Sequence, residues 1–440
     1  MNTFLYRSLI MALMAPGWMS SAFAEPALPM ELIAKPTVMT DQMGGVPHPS
    51  KNDLVRMHQS GYILRARNGK LSRLNVEKTL LPHDFPMTPQ GVQVDLGADN
   101  TLFVRLTNKL CKSKDGGRTW TSHLINAPGG YAISQTGRWK VMSDGTLICV
   151  SVISGEDERA AARVWESKDE ARSWKPRSKI PLNLNVPQTG HPYDARYCHR
   201  GLERLQDDTL LWFIELREFS RERTEQEQKV LKHHALFYFR SKDGGKSWQG
   251  PSLMGDWLNE GAATLLPSGR ILATVRYQRD RISQDSPDLV KHMGAYFKTP
   301  DRPGFKNVFL MNSNDGGSSW TPPRMLTTVY GQTFGYPAAL GDGTVVVVHD
   351  TRYGPGPPGS RALISRDQGQ TWEDEVYYLD STNFPGSYTA SVVLADDTIL
   401  TIAGSCTDPS ISGFDWENVQ DKTDLYSIRW KPVTELHGPT

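Results

Sequence analysis

SKDGGRTW (residues 113–120) is the stretch on which the fold turns, because close copies of it recur four more times. They read SKDEARSW (167–174), SKDGGKSW (241–248), SNDGGSSW (313–320) and SRDQGQTW (365–372). The shared pattern is Ser-x-Asp-x-Gly-x-x-Trp, broken once where Ala171 stands in the Gly position. Ser and Asp side chains accept hydrogen bonds from turn amides, and Gly reaches backbone angles that a Cβ disfavours. The Trp then restarts a strand with a large ring to bury. Each copy, called a box below, is expected to be a tight turn between two strands.

Around the boxes runs a second pattern: an apolar strand, a polar turn, another apolar strand. It appears in GVQVDLGADNTLFVRL, KVMSDGTLICVSV, GLERLQDDTLLWFIEL, GAATLLPSGRILATVR and AALGDGTVVVVHD. A sixth copy, SVVLADDTILTIAG, has no box after it, and Leu425–Trp430 (LYSIRW) reads as its third strand. The boxes start 54, 74, 72 and 52 residues apart, room for four short strands with variable loops. Such repetition indicates an all-β, six-bladed β-propeller, with a strand from about Glu31 to Thr40 completing the last blade. Seven blades is the alternative, if Ser50–Asn75 adds strands of its own. The helix candidate, Ser220–His233, is highly charged and reads as a solvated excursion.

The rest of the chain sets bounds. Arg7, an apolar run from Leu9 to Ala15 and the small-x-small ending Ala22-Phe23-Ala24 read as an export signal over residues 1–24. Residues 25–440 are then a single domain, secreted or periplasmic, with no membrane segment after cleavage. The 49 basic side chains less Arg7 leave 48 against 48 acidic ones, which gives no electrostatic case for nucleic acid. Four scattered cysteines, Cys111, Cys149, Cys198 and Cys406, allow one bridge but no disulfide scaffold and no CxxC metal site. No metal and no cofactor is expected, and the oligomeric state is left open.

The boxes resemble the Asp boxes, or BNR repeats, of the sialidase superfamily. That resemblance covers most of residues 25–440 and implies a sialidase-type propeller. It also implies that the boxes lie on the face away from the active site, so their aspartates are structural.

Propeller geometry then narrows the search for chemistry. First strands start, and second strands end, around one central mouth opposite the boxes. Glu260 begins NEGAATLLPSGRILATVR and Arg276 closes it sixteen residues later. Tyr336 and Arg352 stand at the same spacing in YPAALGDGTVVVVHDTR. Gln90 and Arg105 occupy comparable places in the first unit, and His199 and Arg200 start the third. Tyr388 begins the sixth, and Arg361 precedes the fifth box. Arginines gathered at a mouth suit a carboxylate-bearing glycan, since the guanidinium fork makes two-point contacts. A phenol beside a carboxylate can be activated as a nucleophile.

The resemblance assigns roles to these positions. Glu260 and Arg276 look like the sialidase Glu followed by a carboxylate-binding Arg, Arg361 like the later Arg of that triad, and Tyr388 like the nucleophilic Tyr. Together they imply a retaining exo-α-sialidase or related glycoside hydrolase acting on a terminal acidic sugar. The usual Phe/Tyr-Arg-Ile-Pro start of the first blade is missing, although Arg56, Arg65 and Arg67 lie in its region. Asp84 in LPHDFP and Asp194 in HPYDARY are the acid/base candidates. Two alternatives stay open. One is a lyase on uronate-containing glycans using His199, Tyr336, Arg276 and Arg352; the other is a non-catalytic glycan-binding propeller.

Overall fold

A computed structural model describes residues 48–58, 60–82, 92–106, 108–128, 138–152, 161–187, 190–194, 201–218, 233–298, 304–353, 356–380, 389–406 and 423–433. They form an all-β, propeller-like fold with few helices. A short helix α1 (Lys51–His58) leads into the hairpin β1 (Tyr62–Arg67) and β2 (Lys70–Asn75), followed by β3 (Glu77–Leu80). Two four-stranded meanders come next. The first is β4 (Gln93–Leu96), β5 (Leu102–Arg105), β6 (Lys109–Ser113) and β7 (Thr121–Leu124); the second is β8 (Arg138–Val141), β9 (Leu147–Val152), β10 (Ala161–Ser167) and β11 (Lys175–Pro181). In the third sheet β12 (Tyr193–Asp194) and β13 (Leu202–Arg204) both pair with β14 (Leu210–Glu218), which leads to β15 (His234–Ser241) and β16 (Gln249–Asp256).

The largest sheet has ten strands. Its first part is β17 (Leu258–Leu265), β18 (Ile271–Arg279), β19 (Phe305–Ser313) and β20 (Arg324–Met325), with helix α2 (Pro287–Gly294) between β18 and β19. Its second part is β21 (Gln332–Ala339), β22 (Val345–Thr351), β23 (Gly359–Ser365) and β24 (Glu375–Tyr378), extended by β1 and β2. A single parallel residue pair, Asn307 with Gln332, joins the two parts. The last sheet is β25 (Ala390–Val393), β26 (Ile399–Cys406) and β27 (Thr423–Trp430), completed by β3.

Two expectations change here. The strand closing the last sheet is β3, and Glu31–Thr40 lies outside the described residues. Ser50–Asn75 does add strands, but they extend an existing sheet. Arg65 and Arg67 of β1 reach the buried Glu375 of β24, at 2.6 and 3.8 Å. An unpaired carboxylate there would be costly, so the charge match draws β1 to that edge. Cys111 and Cys149 are buried free thiols, so no bridge joins them. Among the described residues no helix is long and apolar enough to cross a membrane.

The strands β4, β8, β13, β17, β21 and β25 touch one another in that order, and β25 touches β4 again. The cycle closes. Around it the apolar faces pack sheet on sheet, as where Val150 and Val164 meet Trp212 and Phe239. Burying a side chain of this size stabilises by roughly 1.5–3 kcal/mol.

All five boxes link third to fourth strands and share one hydrogen-bond pattern, except that the Arg172 amide of the second donates to the Asp169 main-chain carbonyl. In the first, Ser113 Oγ donates to Asp115 Oδ1 at 2.7 Å and accepts the Gly117 amide at 2.8 Å. Asp115 Oδ1 also accepts the amides of Arg118 and Thr119, and Thr119 Oγ1 donates to Asp115 Oδ2. The Gly117 position is left-handed in every box, and Ala171 takes it at φ 64°. There Ala171 bears the β-carbon cost that Gly avoids in the other four boxes.

Candidate functional site

The site begins with two matching irregularities. On β17, Asn259 pairs with Arg276 and Ala262 with Thr274; on β21, Thr333 pairs with Asp350 and Tyr336 with Val348. Each strand thus carries one extra residue, at Glu260-Gly261 and at Phe334-Gly335. Glu260 and Phe334 adopt φ 46° and 56°, strained for residues with a Cβ. Gly335 is required by space: a Cβ there would lie 2.7 Å from Val308 Cγ1. Register therefore matches Glu260 with Phe334 and Arg276 with Asp350. The sixteen-residue spacing had matched Glu260 with Tyr336 and Arg276 with Arg352. A slip of two residues preserves the strand face, so sequence alone does not reveal it.

These bulges gather a charged cluster at the end opposite the boxes. Arg276 Nη1 lies 2.9 Å from Glu260 Oε2, and its Nε donates to Asn259 Oδ1. The guanidinium groups of Arg276 and Arg352 sit over the Phe334 ring at 5.2 and 4.9 Å. Arg352 Nε donates to Asp350 Oδ2 at 3.1 Å. Burial pushes the Asp350 carboxyl up to about 7, opposed by Arg352 and reinforced by Asp380. Burial, with Arg352 and Arg276 nearby, pushes Lys306 down to about 7. Arg361, buried at the start of β23, donates to the Pro357 carbonyl at 3.2 Å and lies 5.0 Å over the Tyr378 ring.

A pocket at the axis lies beside this cluster, lined among others by Gln93, Arg138, Lys140, Glu203, Tyr336 and Ala390. Five inner strands contribute to it. Lys140 Nζ is 3.1 Å from Glu203 and 3.8 Å from Asp95. Burial alone would lower Lys140, but Asp95 and Glu203 outweigh it and hold the cation. Burial raises the Glu203 carboxyl more than Lys140 lowers it, since Lys140 is shared with Asp95. Glu203 also accepts the Ala263 amide from the neighbouring β17. Arg105, buried at the end of β5, is pushed down to about 10 by burial and then by Arg138.

Of the residues expected from sequence, Glu260, Arg276 and Arg352 come together. Tyr336 lines the axial pocket, Arg105 lies close to Arg138 of its lining, and Arg361 sits on the neighbouring third strand. Tyr388, Asp84 and His199 lie outside the described residues. Sequence reading missed Glu203, Lys140, Asp95, Asp350 and Lys306. The available signal was a charge inside an otherwise apolar strand, as in GLERL and VVVVHD.

The long connections at 218–233, 278–306, 354–359 and 407–422 do join second to third strands. Only the second is described at length. Arg279 pins it through Asp285, at 2.9 and 2.5 Å, and α2 follows. At its end Phe297 meets Tyr330 and Tyr353, with ring centroids 4.9 and 5.0 Å away. The excursion expected at 220–233 lies almost wholly outside the described residues.

No protein-family model matches the chain, and no curated protein matches it. Solved structures do. A protein of unknown function from Dyadobacter fermentans is 16% identical, with 81% of this chain and 98% of that one covered and a TM-score of 0.51. An α-L-arabinofuranosidase of Fusarium graminearum is 13% identical, covering 81% and 98%, with a TM-score of 0.52. An α-L-arabinanase of Penicillium chrysogenum is 13% identical, covering 81% and 97%, with a TM-score of 0.50. At such identities the likeness is one of fold: the chain shares the propeller architecture of these proteins.

Proposed function

We propose that the protein is a glycoside hydrolase that binds a glycan at the mouth of a six-bladed ring, over an axial pocket of about 30 Å³. The closed cycle of six inner strands supports that blade count, with the Asn307–Gln332 pair read as a contact between two blades. One observation carries the functional reading: two buried carboxyl groups stand on adjacent inner strands, Glu203 beside a lysine it shares with Asp95 and Glu260 facing an arginine of its own. Glu203 lines the pocket and is pushed towards its protonated form by burial. Glu260 is ion-paired with Arg276. Glycosidic cleavage needs such a division, an acid for the leaving oxygen and a carboxylate for the anomeric carbon or its attacking water. On this reading Glu203 protonates the leaving group and Glu260, held in place by Arg276, faces the developing positive charge. The arabinan-cleaving activities named for two proteins of the same fold fit a glycan substrate.

The finer sequence reading is exo-acting release of a terminal acidic sugar, of sialidase type. There Tyr388 attacks, Glu260 polarises it, Asp84 is the acid/base, and Arg276 and Arg361 hold the substrate carboxylate. Engagement of Arg276 by Glu260 and of Arg352 by Asp350 favours the first reading. A guanidinium already facing a carboxylate within the protein has less to offer a second one. Export through residues 1–24 accompanies either reading, and N-terminal sequencing of the secreted protein tests it.

Turnover of an aryl α-L-arabinofuranoside and of an aryl sialoside by the full chain separates the readings. Neutral-sugar turnover should fall about 10²–10⁴-fold in Glu203→Gln and in Glu260→Gln, and persist in Tyr388→Phe. Sialoside turnover abolished by Tyr388→Phe would install the sialidase reading instead. Absence of turnover on either overturns both and leaves the lyase and the binding propeller.

A further inference from the structure

Five of the six turns joining first to second strands carry Asp-x-Thr: Asp99 and Thr101, Asp144 and Thr146, Asp207 and Thr209, Asp342 and Thr344, Asp396 and Thr398. In each, the Asp Oδ1 accepts the Thr amide at 2.8 to 3.1 Å. The turn between β17 and β18 reads Ser268-Gly269-Arg270 instead. Its frame is the same, because Leu266 N donates to Arg270 O at 2.8 Å just as Leu394 N donates to Thr398 O at 2.8 Å. The fold therefore does not depend on the Asp and Thr here. Their replacement removes a carboxylate and adds a guanidinium.

The consequence is a pair of arginines side by side. Arg270 Nη2 donates to Gln368 O at 2.5 Å, and Arg324 Nη2 donates to the next carbonyl, Gly369 O, at 3.4 Å. Burial, then the neighbouring Arg324 charge, lowers Arg270, with Asp367 opposing. Asp367 itself is engaged by Ser365, Thr371 and the Gln370 amide. Among the described residues neither arginine has a carboxylate within ion-pair distance. Arg429, which reaches a carbonyl of the first box in the same manner, has Glu77 at 3.5 Å and Asp396 at 3.2 Å. Asp396 is the turn carboxylate that Ser268 replaces.

A cavity of about 340 Å³ opens at this place, lined by Ser268, Arg270, Asn314, Gln368 and Gln370. Asn314 stands where the other boxes have Lys114, Lys168, Lys242 and Arg366. Gln368 holds φ 59°, where three boxes have Gly. Amide side chains both donate and accept, which suits sugar hydroxyls, while paired guanidinium groups suit a planar oxyanion.

We propose that this cleft, on the box face, is a second glycan-binding site for a sugar unit bearing a carboxylate or sulfate. It anchors a polymer at the end of the ring away from the mouth, and it stands independently of the catalytic reading. The test is affinity electrophoresis of the full chain in polygalacturonate, in chondroitin sulfate and in neutral arabinan, with inorganic sulfate as competitor. Ser268→Asp combined with Arg270→Thr restores the pattern of the other five turns and so keeps the fold. The wild type should be retarded by at least one acidic polymer, and this variant should weaken that binding at least tenfold, without loss of turnover on any aryl glycoside. Arg324→Gln should weaken it as well. Equal retardation of wild type and variants, or none by either acidic polymer, overturns the proposal. So does sulfate binding as tight as polymer binding, which would make the cleft a small-anion site.

Discussion

The two ends of the ring hold the same residue types and use them in opposite ways. At the box end the aspartate of each box takes its side-chain hydrogen bonds from its own turn, no more than four residues away. Hydrogen bonds from Ser173 hold Asp169 at about 2, and at Asp243 burial is outweighed by the bonds from Ser247, Ser241 and the Lys246 amide together, to the same effect. At the mouth end burial dominates at two carboxyl groups, lifting Asp350 to about 7 and raising Glu203. A carboxylate solvated by its own turn is a fastener. One stripped of water among strands from several sheets can exchange a proton near neutrality.

The most severe test of this contrast is Arg279→Ala. It strands the buried Asp285 beneath the β18–β19 connection, where losing one partner of a buried pair costs about 3–5 kcal/mol. Urea unfolding should register that loss, or hydrogen exchange should find it confined to residues 280–298. A loss under about 1 kcal/mol would make the mouth end as forgiving as the box end.

Asp350 tests the sign. Its folded value lies above the ordinary 3.8, so the native state holds a proton that the unfolded chain releases first. Its contribution to stability is therefore greatest below about pH 4 and is lost as pH rises to about 7. Asp350→Asn should flatten the dependence of the urea midpoint on pH across that window, and an unchanged slope would break the assignment. The box aspartates have the reverse sign. With a folded value near 2, Asp243 stabilises above the ordinary carboxylate value, and that stability is lost as pH falls towards 2. Asp243→Asn should cost no more than about 1 kcal/mol at pH 7. The difference from wild type should vanish at the acid end of the titration. It is the smallest effect of the three.

The box turns were readable in sequence because every group they need lies within eight consecutive residues. Ser113, Asp115, Gly117 and Thr119 complete one another without help from elsewhere, so the motif spells out its own hydrogen bonds. The mouth was readable only in outline. Strand ends pointed to Glu260, Arg276 and Arg352, but the bulges that set their register came from the close approach of Gly335 to Val308 and Thr274. Nothing local to YPAAL announces that contact. Glu203 was passed over because its partners, Lys140 and the Ala263 amide, and the competing Asp95 lie on three other strands.

From the chain alone, then, came the repeating unit, its turns, the all-β class and the end of the ring at which to look. Local hydrogen bonding and period-two alternation act over a few residues and leave their mark in order along the sequence. Tertiary structure alone decided which carboxyl groups lose their water and which arginines already face a carboxylate. It also decided that β3 closes the last sheet. Those outcomes depend on desolvation and on charges brought close from distant strands, and both arise only once the sheets have packed into a ring.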